Sequence, residues 1–242
     1  MTKPAPFHVV FPLFPDVTHL DFTGPHQILC RLPGAQVVVA SAAGGEIKAD
    51  GLVFGRLPRL ADLERCDLLC VPGGFGTTQA MADPDYLGQL RRLAGMARYV
   101  TSVCTGSLLL GAAGLLKGRR AASHWAWRDQ LALFGATPDP ARVVRDGNVF
   151  TGGGVTAGID FALTIVAEVA GDETAQAVQL AVEYAPAPPF DAGRPETAPP
   201  VVLERITALY SQGMDERWAA ARQAAAALVV EARGPSDRKS VV

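Results

Sequence analysis

The chain has little of what would place it outside the ordinary globular enzymes. Four cysteines in 242 residues, Cys30, Cys66, Cys70 and Cys104, are too few for a disulfide scaffold. Cys66 and Cys70 have the spacing of a metal pair, yet no second pair or nearby histidine completes a site. With Cys30 they read as packing residues, because free cysteine behaves as a small hydrophobe. Charge of one sign is not in excess: 22 basic and 24 acidic residues give a formal net charge of -2. That balance offers no electrostatic ground for nucleic acid or an anionic membrane as partner. No run approaches the roughly 18 uninterrupted apolar residues of a membrane-spanning helix. The opening MTKPAPFHVVFPLF has a single lysine and an apolar run broken by Pro6 and Pro12, unlike a secretory leader. The expectation is a cytoplasmic protein. Apolar residues make up 49% of the chain, which suits a large packed core and excludes global disorder.

Short apolar runs alternate with helical patterns. Strands are expected at 7–14, 36–41, 67–71 and 99–104, with helices at 25–32, 84–97 and 106–116. Gly44-Gly45 opens a hairpin through Ile47 and Val53, and Asp146-Gly147 marks another. In the helix at 84–97, Leu87, Leu90, Leu93 and Met96 recur at helical spacing. Lys117-Gly118 reads as a glycine stop for the helix before it. Two further helices cover 156–170 and 172–184. Continuous apolar strands between helices predict an α/β fold with a mainly parallel sheet and helices on both faces. Residues 185–200 carry six prolines and read as an extended crossing. The expected division is an α/β domain over 1–200 and a helical extension over 201–242. The extension is broken near Gly213, packs on the domain or a second subunit, and frays from Arg233 onward.

The informative segment is Tyr99 to Leu110, YVTSVCTGSLLL, where a strand runs directly into a helix with Cys104 at the junction. A nucleophile on so tight a turn needs space behind it, which Gly106 supplies. The helix N-terminus would lower the pKa of the thiol and give a thiolate at pH 7. On spacing alone, a buried strand-end cysteine is the competing account. Two glycine loops end neighbouring strands, Pro72-Gly73-Gly74 and Gly152-Gly153-Gly154. Each can bring backbone N–H groups close to a reacting atom or be an ordinary tight turn. In an open α/β sheet, sites gather at the carboxyl ends of strands, so the three segments can converge.

Asp21, in LDFTGP after the first strand, either caps a helix or handles protons beside Cys104. A carboxyl next to a thiolate would have a raised pKa. His124, near the start of a helix, either reaches the site or is a structural hydrogen-bonding residue, the commoner use of a lone histidine.

Taken in order, the Asp21 turn, Pro72-Gly73-Gly74, Val103-Cys104-Thr105-Gly106 and Gly152 to Asp160 resemble the ThiJ/PfpI superfamily. The likeness covers roughly 7–195, with Glu183-Tyr184 and Pro188 to Gly193 included, and is greatest to the branch that hydrates isocyanides. The resemblance implies the class I glutamine amidotransferase-like (flavodoxin-like) fold. It also implies hydration of an isocyanide to an N-substituted formamide, a homodimer, and neither metal nor organic cofactor. Cys104 would be the nucleophile and Asp21 the proton-handling carboxyl, with Thr105 beside them. Gly74, Gly153 and Val155 would line the substrate pocket. Protease-like members carry histidine after the cysteine, and this chain has Thr105. Deglycase-like members carry glutamate as the acid, and this chain has Asp21. Regulators of the same fold append a DNA-binding domain of about a hundred residues, longer than the stretch after Pro200. A glyoxalase- or deglycase-like enzyme and a non-enzymatic small-molecule sensor are the alternatives.

Overall fold

The computed structural model describes residues 6–233. The fraying expected beyond Arg233 lies outside the described residues. The elements run β1 (Phe7–Leu13), α1 (His19–Leu29), β2 (Ala35–Ser41), β3 (Gly45–Ala49), β4 (Leu52–Leu57), β5 (Leu68–Val71), α2 (Thr77–Ala80) and α3 (Pro84–Met96). They continue through β6 (Tyr99–Val103), α4 (Gly106–Ala112), β7 (Arg120–Ala121), a 3-10 helix (Arg128–Phe134), β8 (Thr137–Pro138), β9 (Val143–Asp146) and β10 (Val149–Gly152). Four helices close the chain: α5 (Ala157–Ala170), α6 (Asp172–Ala181), α7 (Pro200–Ser211) and α8 (Met214–Arg233).

The central sheet has six strands in the order β2-β1-β5-β6-β10-β9. All neighbouring pairs are parallel except β10 with β9, which form the hairpin turned at Gly147. The inner strands are buried on both faces, which explains why Leu68-Leu69-Cys70-Val71 is continuously apolar. Val9, Phe11, Leu68, Val71, Val103 and Phe150 form the middle of the core. β3 and β4 make a separate hairpin.

Several expectations need correction. α1 begins at His19, so Asp21 lies in its first turn and Pro25 lies inside the helix rather than at its start. Proline removes one helical hydrogen bond, yet the helix persists because it packs tightly on α5. Gly158 allows that approach, since a side chain there would press on the Pro25 ring. α4 stops at Ala112, well before Lys117, and Gly114 takes the left-handed conformation at φ 77° that ends it. Cys30 is exposed rather than packed. Cys66 and Cys70 are buried; burial pushes the Cys66 thiol up to about 12 and Cys70 higher still, so neither is nucleophilic at neutral pH. Among the described residues, no group of three or more His, Cys, Asp or Glu side chains is placed to hold a metal ion. No described helix is long and apolar enough to cross a membrane.

α8 packs across α2, α4 and the 3-10 helix of its own chain, burying Ala221 and Ala224. This brings the C-terminal helices to the carboxyl ends of β5 and β6.

Candidate active site

β6 delivers Cys104 to the sheet's carboxyl edge, where the chain must reverse into α4 within two residues. Cys104 adopts φ 56°, the left-handed region that non-glycine residues rarely occupy. Such strain persists only where the surroundings enforce it, and it gathers at functional sites. Here the Cys104 N–H bonds the Gly152 carbonyl at 3.1 Å, and the Cys104 carbonyl accepts from the Ser107 and Ser123 hydroxyls at 3.2 and 3.1 Å. Gly106 makes the turn possible, because a methyl group there would overlap the backbone oxygens of Val71 and Pro72. Gly106→Ala is expected to lower stability by about 3 kcal/mol, since a backbone carbonyl cannot swing aside as a side chain can. Urea unfolding measures that loss.

Asp21 reaches the same place from α1 and is 0% exposed. Its Oδ2 accepts the Gly73 N–H at 2.9 Å, while Oδ1 is buried without a hydrogen-bond partner. The carboxyl interacts with the Cys104 side chain. Burial raises the Asp21 pKa to about 7, against the opposing pull of the Gly73 amide and Cys104. Burial also pushes the Cys104 thiol well up, and the Asp21 charge pushes it further; the Thr105 amide pulls the other way. The expected resting thiolate is therefore corrected. Cys104 is 5% exposed, and its burial outweighs the short helix behind it. At neutral pH the sulfur keeps its proton, beside the Asp21 carboxyl.

Thr105 clamps the glycine loop. Its Oγ1 accepts the Gly74 N–H at 2.9 Å and lies 2.9 Å from the Thr77 hydroxyl. Gly73 sits so close that a Cβ would fall 2.5 Å from both the Thr105 nitrogen and its Oγ1. The two amides of Gly73 and Gly74 are thus consumed in fixing Asp21 and Thr105. They are not free donors for a reacting atom, as the glycine-rich pattern had suggested. Thr18 N–H completes the seam by donating to the Gly73 carbonyl at 2.9 Å.

A cleft enclosing about 520 Å³, part of it open to solvent, lies in front of Cys104. Gly74, Thr105 and Val155 line it, as does His124. Gly153 does not; its N–H is tied to the Arg142 carbonyl at 2.9 Å, which holds β10 to the segment before β9. Burial pushes His124 down to about 4, so it is neutral at pH 7. Its Nδ1 accepts the Ala126 N–H at 3.3 Å. Its ring stands among Trp125, Trp127 and Tyr210, with centroids 4.8 to 5.6 Å away.

Sequence reasoning missed Phe75, Thr77, Trp127, Tyr210 and Arg217, all lining the same cleft. Tyr210 belongs to α7, and its pKa is raised by burial and then by the Cys104 charge, which places it near the sulfur. Nothing local in residues 201–217 marks them as site residues. Only the packing of α8 brings them there.

The chain has relatives of known name and known structure. The chain is 50% identical over 219 residues to the isonitrile hydratase of Pseudomonas putida, covering 90% of this chain and 96% of that protein. The crystal structure of a ThiJ/PfpI family protein from Pseudomonas syringae superposes with a TM-score of 0.87 at 40% identity, covering 90% of this chain and 92% of that one. Drosophila melanogaster DJ-1beta superposes with a TM-score of 0.66 at 26% identity over 75% of this chain and 100% of that one. The DJ-1/PfpI family model matches residues 7–168, which contain Asp21, the Gly73-Gly74 loop and Cys104 in one continuous span. By that match and the parallel sheet that carries it, the chain belongs to the DJ-1/PfpI family.

Proposed function

We propose that this chain is an isonitrile hydratase, adding water to an organic isocyanide to give the N-substituted formamide. The observation that carries the chemistry is the pairing of a buried Cys104 thiol with a carboxyl whose free oxygen has no other partner. The likeness to the Pseudomonas putida isonitrile hydratase supports the substrate class. A mostly apolar cleft suits the substituent of an isocyanide, R–NC.

The terminal carbon of R–NC accepts the sulfur while the Asp21 carboxylate takes the thiol proton. Asp21 then returns that proton to the same carbon, giving a thioimidate, R–N=CH–S–Cys104. Water adds its oxygen to this carbon, and its proton passes to nitrogen. The C–S bond breaks, its electron pair returns to sulfur, and the hydroxyl proton moves to the sulfur with it, leaving R–NH–CHO. Covalent catalysis divides one difficult hydration into two easier additions. Thr105 holds the loop that fixes Asp21, and Gly74 and Val155 shape the entrance.

Formamide production from para-nitrophenyl isocyanide, run beside methylglyoxal, tests the assignment. Turnover of the isocyanide alone supports it; turnover of methylglyoxal alone favours the glyoxalase- or deglycase-like alternative. The proposal includes a cytoplasmic homodimer. Free thiols at Cys30, Cys66, Cys70 and Cys104 fit a reducing compartment, and exposed Val201, Val202 and Leu209 on α7 offer apolar surface for a partner subunit. Light scattering on the purified chain should return twice the mass of 25.4 kDa.

A further inference from the structure

Among the described residues that line the Cys104 cleft, Arg217 is the only arginine, lysine or carboxylate. The other lining side chains are apolar, hydroxyl or amide groups, with His124 neutral. Arg217 is half-buried, and its guanidinium lies over Phe75 and Trp127 with the carbon 5.3 and 5.4 Å from the ring centroids. Its Nη1 donates to the Tyr210 and Gln212 carbonyls at 3.3 and 3.2 Å. These bonds to the end of α7 fix the plane of the group. Among the described residues, Nε and Nη2 have no partner and no carboxylate pairs with Arg217. The Nε–Nη2 edge is the side of a guanidinium that receives a carboxylate in two parallel hydrogen bonds.

The cleft that Cys104 and Arg217 both line has flat aromatic walls. Phe75 meets Trp127 edge to face with centroids 6.3 Å apart, and Trp127 stands 4.8 Å from Tyr210. The three rings pack on one another as a continuous aromatic wall, against which an aromatic or extended apolar substituent can lie. An anionic group on it would find Arg217 in the lining, from which the fully buried Asp21 is absent. We infer that the preferred substrates are isocyanides whose flat apolar substituent carries a carboxylate, with Arg217 as the residue that selects them. The inference rests on the proposed hydratase activity and adds the identity of the substituent.

The test compares para-isocyanobenzoate with its methyl ester, which has similar shape and no charge. The parent chain should favour the acid in kcat/KM by about 10-fold or more, the size of a hydrogen bond to a charged group. Arg217→Gln should bring the ratio of acid to ester close to one. Arg217→Lys, which keeps the charge but loses the fork, should retain part of it. A ratio near one in the parent, or one unchanged by Arg217→Gln, overturns the inference even if both compounds are hydrated. If neither compound is hydrated, the hydratase assignment fails instead. Calorimetric binding to Cys104→Ala then decides the Arg217 site by itself: acid binding tighter than ester, and lost with Arg217→Gln, upholds it, and equal binding removes it.

Discussion

Cys104→Ala is expected to abolish isocyanide hydration, by about 10⁴-fold or more, without unfolding the chain. In the proposed mechanism the sulfur is the atom that bonds the substrate carbon, and no other described thiol lines the cleft. Cys66 and Cys70 lie in the core with raised pKa values, and Cys30 is on the surface at the end of α1, away from the cleft lining. Alanine also removes nothing essential to the fold, because the turn is held by backbone bonds from Cys104 N–H and to its carbonyl. Cys104→Ser is expected to be nearly as inactive. Asp21 has a pKa of about 7, suited to a thiol but many units below an alcohol. A steady-state assay with circular dichroism of each variant separates lost chemistry from lost structure.

Asp21→Asn is the second large effect, a fall in kcat of about 10²- to 10⁴-fold, the range for losing a positioned proton-transfer group. Asparagine keeps an oxygen for the Gly73 N–H, so the loop stays in place. The pH dependence identifies the role. With Asp21 near 7, kcat/KM of the parent should climb about tenfold per pH unit below 7 and level off above it. The variant should lack that limb. Stability should move the opposite way. Asp21 titrates near 3.8 when unfolded and near 7 when folded, so between those values the native chain holds more protons than the unfolded one. Stability therefore falls as pH rises through that window, by about 4 kcal/mol in all. Above pH 7 the native state bears a buried charge that Asp21→Asn removes. The variant should melt higher than the parent at pH 8, and the difference should shrink toward pH 4. A parent that melts lower at pH 5 than at pH 8, relative to the variant, would mean Asp21 ionises readily in the fold.

The parts legible in sequence were those set by local chemistry. Asp146-Gly147 predicts its hairpin because a left-handed glycine is needed there, and Gly147 has φ 62°. The apolar strand ending at Cys104 and the glycine two residues on predict the turn, since Gly106 alone permits the approach to Val71. α1 was less legible. Pro25 looks like a start signal, but packing of Gly24 on Ile159 and of Pro25 on Gly158 holds a helix through it. The charge state of Cys104 was not legible, because it depends on burial among distant elements rather than on the helix directly after it. Tyr210 and Arg217 were invisible for the same reason. More than a hundred residues separate them from Cys104, and α7 shows only an ordinary mixed surface.

The proposed mechanism stands on a covalent bond between the isocyanide carbon and Cys104, formed with Asp21 as the proton carrier. Rapid quench during turnover, followed by peptide mass spectrometry, measures it directly. The peptide containing Cys104 should be heavier by the mass of one isocyanide, and the modified fraction should fall in Asp21→Asn, which lacks the base that takes the thiol proton. Product formation with Cys104 unmodified at every time point, or an adduct confined to exposed Cys30, would contradict the account.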